Sequence, residues 1–133
     1  MSEKFPAAGY KANVLQDCFA DAKRFFLDHY LDVDRAHVVM LGEQGIVSAG
    51  EVATILKAIE GLDLDAIREA EYDGSVEDLF FYLQREITSA CGDADVAGKL
   101  HTARSRNDID VTIYRLYIRR QALDLIDACT TLH

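Results

Sequence analysis

Asn107-Asp-Ile-Asp-Val-Thr-Ile-Tyr-Arg-Leu-Tyr-Ile-Arg-Arg-Gln-Ala-Leu-Asp-Leu-Ile-Asp-Ala-Cys-Thr-Thr-Leu-His133 is the stretch that decides the fold class. Val111, Ile118, Leu125 and Leu132 recur every seven residues, and Ile109, Leu116 and Leu123 form a second seven-residue row on another side. Both rows have the period of an α-helix. Apolar rows on two sides predict a helix that is surrounded by others. A chain of 133 residues has few helices for that purpose, so partner chains or a further part of the protein are expected to help. The pattern is still running at Cys129-Thr130-Thr131-Leu132-His133 and shows no capping signal, as in a long bundle helix cut short.

Helical periodicity continues upstream. Leu15, Phe19, Ala22 and Phe26 predict a helix over residues 12–30, with Phe25 and Tyr30 widening its face. A second helix is expected with Val33, Ala36, Val39 and Met40 as its apolar row, ended by Gly42 or Gly45. His29 and His37 are expected at the surface or a helix edge. Ser48-Ala49-Gly50-Glu51 reads as a capping box opening a helix that stops at Gly61. Asp63–Ala70 reads as a short helix, and Tyr72-Asp73-Gly74 as a turn. Ser75-Val76-Glu77-Asp78 reads as a cap for a helix that ends at Gly92. The stretch 92–106 lacks helical periodicity. The expected architecture is all-α and bundle-like: one helical domain over 1–133, with the start of a bundle from about residue 107.

Composition excludes several classes. Half the residues are hydrophobic and only one is Pro, which excludes a disordered or Pro-rich chain. No apolar run approaches the ~20 residues of a membrane helix, and the first residues show no secretory signal. Three Cys without CxxC spacing suggest a reduced, cytoplasmic protein with buried thiols and no zinc site. The net charge is −9, yet Lys99 to Arg120 holds six Lys and Arg against two Asp, which leaves −13 on the rest. A basic island on an acidic chain suits a small anion and disfavours nucleic acid, whose phosphates the remaining surface would repel. Arg115, Arg119 and Arg120 also fit a solvated helix face.

The island contains Gly98-Lys99-Leu100-His101-Thr102-Ala103-Arg104-Ser105-Arg106-Asn107-Asp108. Cations, hydroxyls, an imidazole and an amide crowd into eleven residues just before the long helix. The free N–H groups of a helix start favour anions. Arg grips carboxylates with a planar fork, and Asn, Ser and Thr add donors and acceptors. Two readings are open on these residues: a site for a small polycarboxylate, or a capped, solvated helix start with Ser105 or Asn107 as N-cap.

Gly-Lys-Leu-His-Thr-x-Arg-Ser-Arg-Asn-Asp resembles the signature segment of argininosuccinate lyase, in the fumarase/aspartase superfamily, with Ala103 in place of the usual Gly. Asp95-Val96-Ala97 before it and the Tyr-Arg-Leu-Tyr helix after it resemble the family's flanks. Ala36-His37-Val38-Val39-Met40-Leu41, Gln44-Gly45-Ile46-Val47 and Glu77-Asp78-Leu79 resemble further family segments. The resemblance covers roughly residues 12–133 and points to the N-terminal portion of the family's chain.

It implies a helical fold, β-elimination of fumarate from argininosuccinate to give arginine, no metal or organic cofactor, and a homotetramer built around a helical bundle. Ser105, Arg106, Asn107, His101 and Thr102 would contact substrate. Lys99, Arg104, Asp108 and Asp78 would support them. The family's general acid/base His and Ser-bearing loop lie beyond residue 133, so no catalytic residue is expected in this chain. It would supply one wall of the site and be inactive alone. Phe80 stands where the family's Glu-Asp-Ile-His carries its His, and no Ser occurs between Ser2 and Ser48 to match the family's early Ser segment. These departures leave room for a lyase acting on a related polycarboxylate, or for a non-catalytic oligomerisation and anion-binding module.

Overall fold

A computed structural model describes residues 6–132. Met1–Phe5 and His133, the two ends of the expected 1–133 domain, lie outside the described residues. A short α1 (Ala8–Tyr10) passes through a π-helical turn (Lys11–Leu15) into α2 (Gln16–Glu43). Then follow α3 (Ala49–Glu60), α4 (Leu64–Glu69), α5 (Leu79–Cys91), α6 (Ala94–Gly98), a 3-10 turn (Lys99–His101) and α7 (Arg106–Thr131). No strand occurs among the described residues. The fold is all-α and ends in a long helix, as the spacing predicts.

The two helices expected over 12–30 and from Val33 onward are one continuous α2. No Gly or Pro interrupts Gln16–Leu41, so nothing stops the helix. The phase of its second half also differs from expectation. Ala36, Val39 and Met40 are exposed, and the buried row is Leu31, Asp34, Val38 and Leu41. The charged Asp34 on that row is what disguises it.

Caps then punctuate the chain. Ser48 and Glu51 form the predicted capping box. Gly42 lets α3 approach the end of α2, since a Cβ there would sit 2.8 Å from Val52 Cγ2. The cap of α5 is Asp78, whose carboxylate accepts the Phe81 N–H at 3.2 Å, and not Ser75. Gly92 ends that helix at φ +71°, a left-handed conformation that Gly takes without steric cost. The stretch 92–106 is more regular than expected, because Asp93 caps the short α6.

α2 is the spine. α3, α5 and the first half of α7 close on it around Leu31, Val38, Ile55, Ile59, Leu79, Leu83, Ile87, Leu100, Ile109 and Ile113. Burying each such side chain contributes about 1.5–3 kcal/mol. Along α7, Tyr114 and Tyr117 meet the Phe26 ring edge-on, each at 5.4 Å between centroids. Beyond Tyr117 every described side chain is exposed, including Ile118 at 65%, Leu125 at 65% and Leu132 at 88%. Of the two apolar rows of α7, the one from Ile109 through Leu116 is covered at its start, whereas the row that begins at Val111, itself 50% exposed, is uncovered throughout. The cysteines depart from expectation: Cys18 and Cys129 are exposed and Cys91 is half-buried.

Candidate functional site

The connection from His101 to Arg106 sets the start of α7. Ala103 turns the chain at φ +59°, a conformation rare for a residue with a Cβ. Ser105 is the N-cap. Its hydroxyl accepts the Asp108 N–H at 3.4 Å, and its own N–H donates to Asp108 Oδ2 at 2.8 Å. Of the two cap candidates the structure therefore selects Ser105. The bonds from Ser105 hold the Asp108 carboxyl below its usual range. Asn107 and Asp108 are exposed on the first turn, and the Asn107 side chain makes no hydrogen bond among the described residues.

The connection has an inner side. Arg104 turns into the protein and pairs with Asp34, the two side chains being 6% and 8% exposed. Burial pushes the Asp34 carboxyl up, and the Arg104 charge pulls it back. Arg104 Nη2 lies 3.3 Å from His101 Nδ1. Arg can only donate, so Nδ1 accepts and the imidazole proton sits on Nε2. Burial, with Arg104 and His37 nearby, lowers the His101 pKa to about 4, so the ring is neutral at pH 7. Its other face meets Phe80 at 5.0 Å between centroids. His101 Nε2 and Arg104 Nε and Nη1 are buried without a partner among the described residues. His37, on the same face of α2 one turn after Asp34, donates from Nε2 to the Thr102 carbonyl at 2.9 Å. It is half-buried and engaged, so its role exceeds that of the helix-edge residue expected.

The outer side is built differently. Arg106 is 38% exposed and faces three carboxylates: Asp78 at 2.9 Å, Glu77 at 3.1 Å and Asp110 at 3.6 Å. Tyr30 donates to Asp110 at 2.9 Å. Burial, which outweighs the Phe81 N–H bond and Arg106, keeps the Asp78 carboxyl above its usual range. Tyr30, Asp78, Arg106, Asp110 and Tyr114 line a cavity of about 440 Å³ between α2 and α7. On a third side, Lys99 pairs with Glu51 and, with Ser48, lowers the Glu51 pKa to about 2.

The predicted residues thus divide into groups. Arg106 and Asp78 meet in the cavity. Ser105, Asn107 and Asp108 cap and open α7. His101 and Arg104 lie inside, Thr102 is held through its carbonyl, and Lys99 ties down α3. The basic island is less free than its composition suggests, because Lys99, Arg104 and Arg106 already face carboxylates. Arg115 and Arg119 are exposed on the helix face, and Arg120 pairs with Asp124 at 3.0 Å. The sequence reading missed Asp34, His37, Tyr30 and Asp110. The one legible signal was an acid interrupting the buried phase of α2. Among the described residues no three His, Cys, Asp or Glu side chains are grouped to hold a metal ion. No helix among them is long and apolar enough to cross a membrane.

Over 131 residues, 97% of the chain, the sequence is 44% identical to argininosuccinate lyase 2 of Agrobacterium fabrum. The chain is a homologue of the argininosuccinate lyases. It is 40% identical to the argininosuccinate lyase of Streptococcus mutans over 99 residues, 73% of the chain. It is 34% identical to that of Staphylococcus aureus over 101 residues, 75% of the chain. These matches cover 25%, 21% and 22% of the three relatives, so the chain spans about a quarter of the length of the argininosuccinate lyases it matches. No protein-family model and no solved structure matches it.

Proposed function

We propose that this chain forms one wall of an argininosuccinate lyase-type substrate site, with the start of α7 as its carboxylate-binding edge. The observation that carries the reading is the 44% identity over 131 residues to an argininosuccinate lyase. In this reading Ser105, Arg106 and Asn107 contact a small polycarboxylate, His101 and Thr102 shape the floor, and the elimination of fumarate needs groups that this chain does not contribute. The exposed Ser105 and Asn107 at the start of α7 and the partly open Arg106 support it. One charge-assisted Arg contact contributes about 1.5–3 kcal/mol. A few such contacts, less the ordering cost, give affinity near the millimolar range. Arg106 must loosen its hold on Glu77 and Asp78 to bind, which keeps the affinity weak.

Titrating succinate while following backbone amide shifts is the test. The expected result is a saturating shift confined to Ser105–Asp108 that Asn107→Ala removes. Equal shifts at all basic residues would reduce the segment to a solvated helix start.

The exposed row Ile118, Leu125 and Leu132 supports a second part of the reading, in which a second copy of the chain covers α7. Sedimentation should then show an assembly that Leu125→Asp dissolves. A compact monomer at micromolar concentration would contradict it.

A further inference from the structure

Two residues one turn apart on α2 hold the same short connection. Asp34 takes the Arg104 guanidinium, and His37 donates to the Thr102 carbonyl at 2.9 Å. Between these two anchor points sits Ala103, at φ +59°. A left-handed non-Gly residue costs about 1–2 kcal/mol and persists only where its surroundings hold it. Two residues on, Ser105 opens α7 and sets the direction in which Arg106 and Asn107 leave the backbone. A polar pair on the buried side of α2 is itself costly, since unpaired buried groups lose their hydration. Packing alone would be served by apolar residues at these positions.

We infer that Asp34 and His37 are positioning residues: a two-pronged clamp on residues 102–104 that fixes the geometry of Ser105, Arg106 and Asn107. The ligand-binding consequence rests on the function proposed above, whereas the clamp itself does not. Asp34 holds the connection through a side chain and His37 holds it through the main chain, so the two prongs act on different atoms. With both in place, Ala103 has no freedom to relax and the first turn of α7 starts from one geometry. With either prong gone, Ala103 can return toward its preferred conformation, and the cap at Ser105 opens with it.

Amide hydrogen exchange on the 133-residue chain tests the clamp. His37→Ala should speed exchange at Asp108 and Ile109, whose N–H groups bond to Ser105, by about tenfold or more, a local opening, while Ile55, Leu83 and Ile87 keep their rates. His37→Gln, whose amide can still reach the Thr102 carbonyl, should restore slow exchange. Asp34→Asn should act like His37→Ala. Uniform acceleration across the chain, or no rescue by Gln, would overturn the clamp and leave these residues as ordinary core. A succinate titration of the same variants separates the two claims. Succinate shifts in the parent chain that weaken in His37→Ala and return in His37→Gln support positioning of the ligand groups. Binding that is equal in all variants overturns it. A parent chain that shows the exchange pattern without any succinate shift retains the clamp and refutes the proposed function.

Discussion

Arg104 and Arg106 are two residues apart and belong to opposite worlds. Arg104 is 6% exposed, locked to one buried carboxylate and hydrogen-bonded to a neutral imidazole. Arg106 is 38% exposed and shares three carboxylates at the edge of a cavity. The same side chain thus serves as an internal strut in one place and as an adjustable surface group in the other. What separates them is the left-handed turn at Ala103 and the Ser105 cap, which send one inward and the other outward. The lesson concerns charge: a basic surplus counted along the chain does not measure the positive potential offered to a ligand.

The largest expected effect breaks the inner side. Arg104→Ala strands Asp34 as an unpaired buried acid and should cost about 3–5 kcal/mol in urea unfolding. Replacing both partners, with Arg104→Met and Asp34→Leu together, should recover most of that loss, because buried pairs exchange for apolar groups at little net cost. A double variant as unstable as the single one would mean that the pair does more than satisfy itself.

A smaller effect follows from the neutral His101. Its pKa is about 4, below the ordinary 6.5. The unfolded chain therefore binds this proton first as pH falls. The contribution to stability is whole above pH 6.5 and is lost between 6.5 and about 4, by at most about 1.4 kcal/mol per pH unit. Unfolding free energies across that window, compared between the parent and His101→Gln, should show the slope disappear. The smallest effect sharpens the turn between the two arginines. Ala103→Gly relieves the positive φ and should stabilise the chain by about 0.5–1 kcal/mol, since Gly takes that conformation freely but loses more entropy on folding. A loss of stability would mean that the Ala103 methyl packs usefully.

Much of the architecture was legible before the structure. Ser48 with Glu51, Gly92 and the rows of α7 each carry a local signal that tertiary packing does not override. The joining of α2 was less legible, because Asp34 broke the apolar pattern while the backbone propensity stayed helical. At the site, the polar segment 98–108 announced itself by composition. Its division into inner and outer sides depends on residues some 70 positions away, such as Asp34 for Arg104, and no local pattern encodes such a pairing. Tyr30 and Asp110 escaped notice for the same reason: 80 residues separate them, and only the packing of α2 on α7 brings them together.

The most direct test measures succinate affinity and thermal stability together in Arg104→Lys and Arg106→Lys. Lys keeps the charge and loses the planar fork. The account predicts a crossed result. Arg106→Lys should weaken succinate binding severalfold at nearly unchanged melting temperature. Arg104→Lys should lower the melting temperature by several degrees, as expected for a loss of about 1–2 kcal/mol in a domain of this size. If Arg106→Lys binds succinate like the parent, or destabilises the chain as much as Arg104→Lys does, the division into a structural inner side and a ligand-binding outer side is wrong.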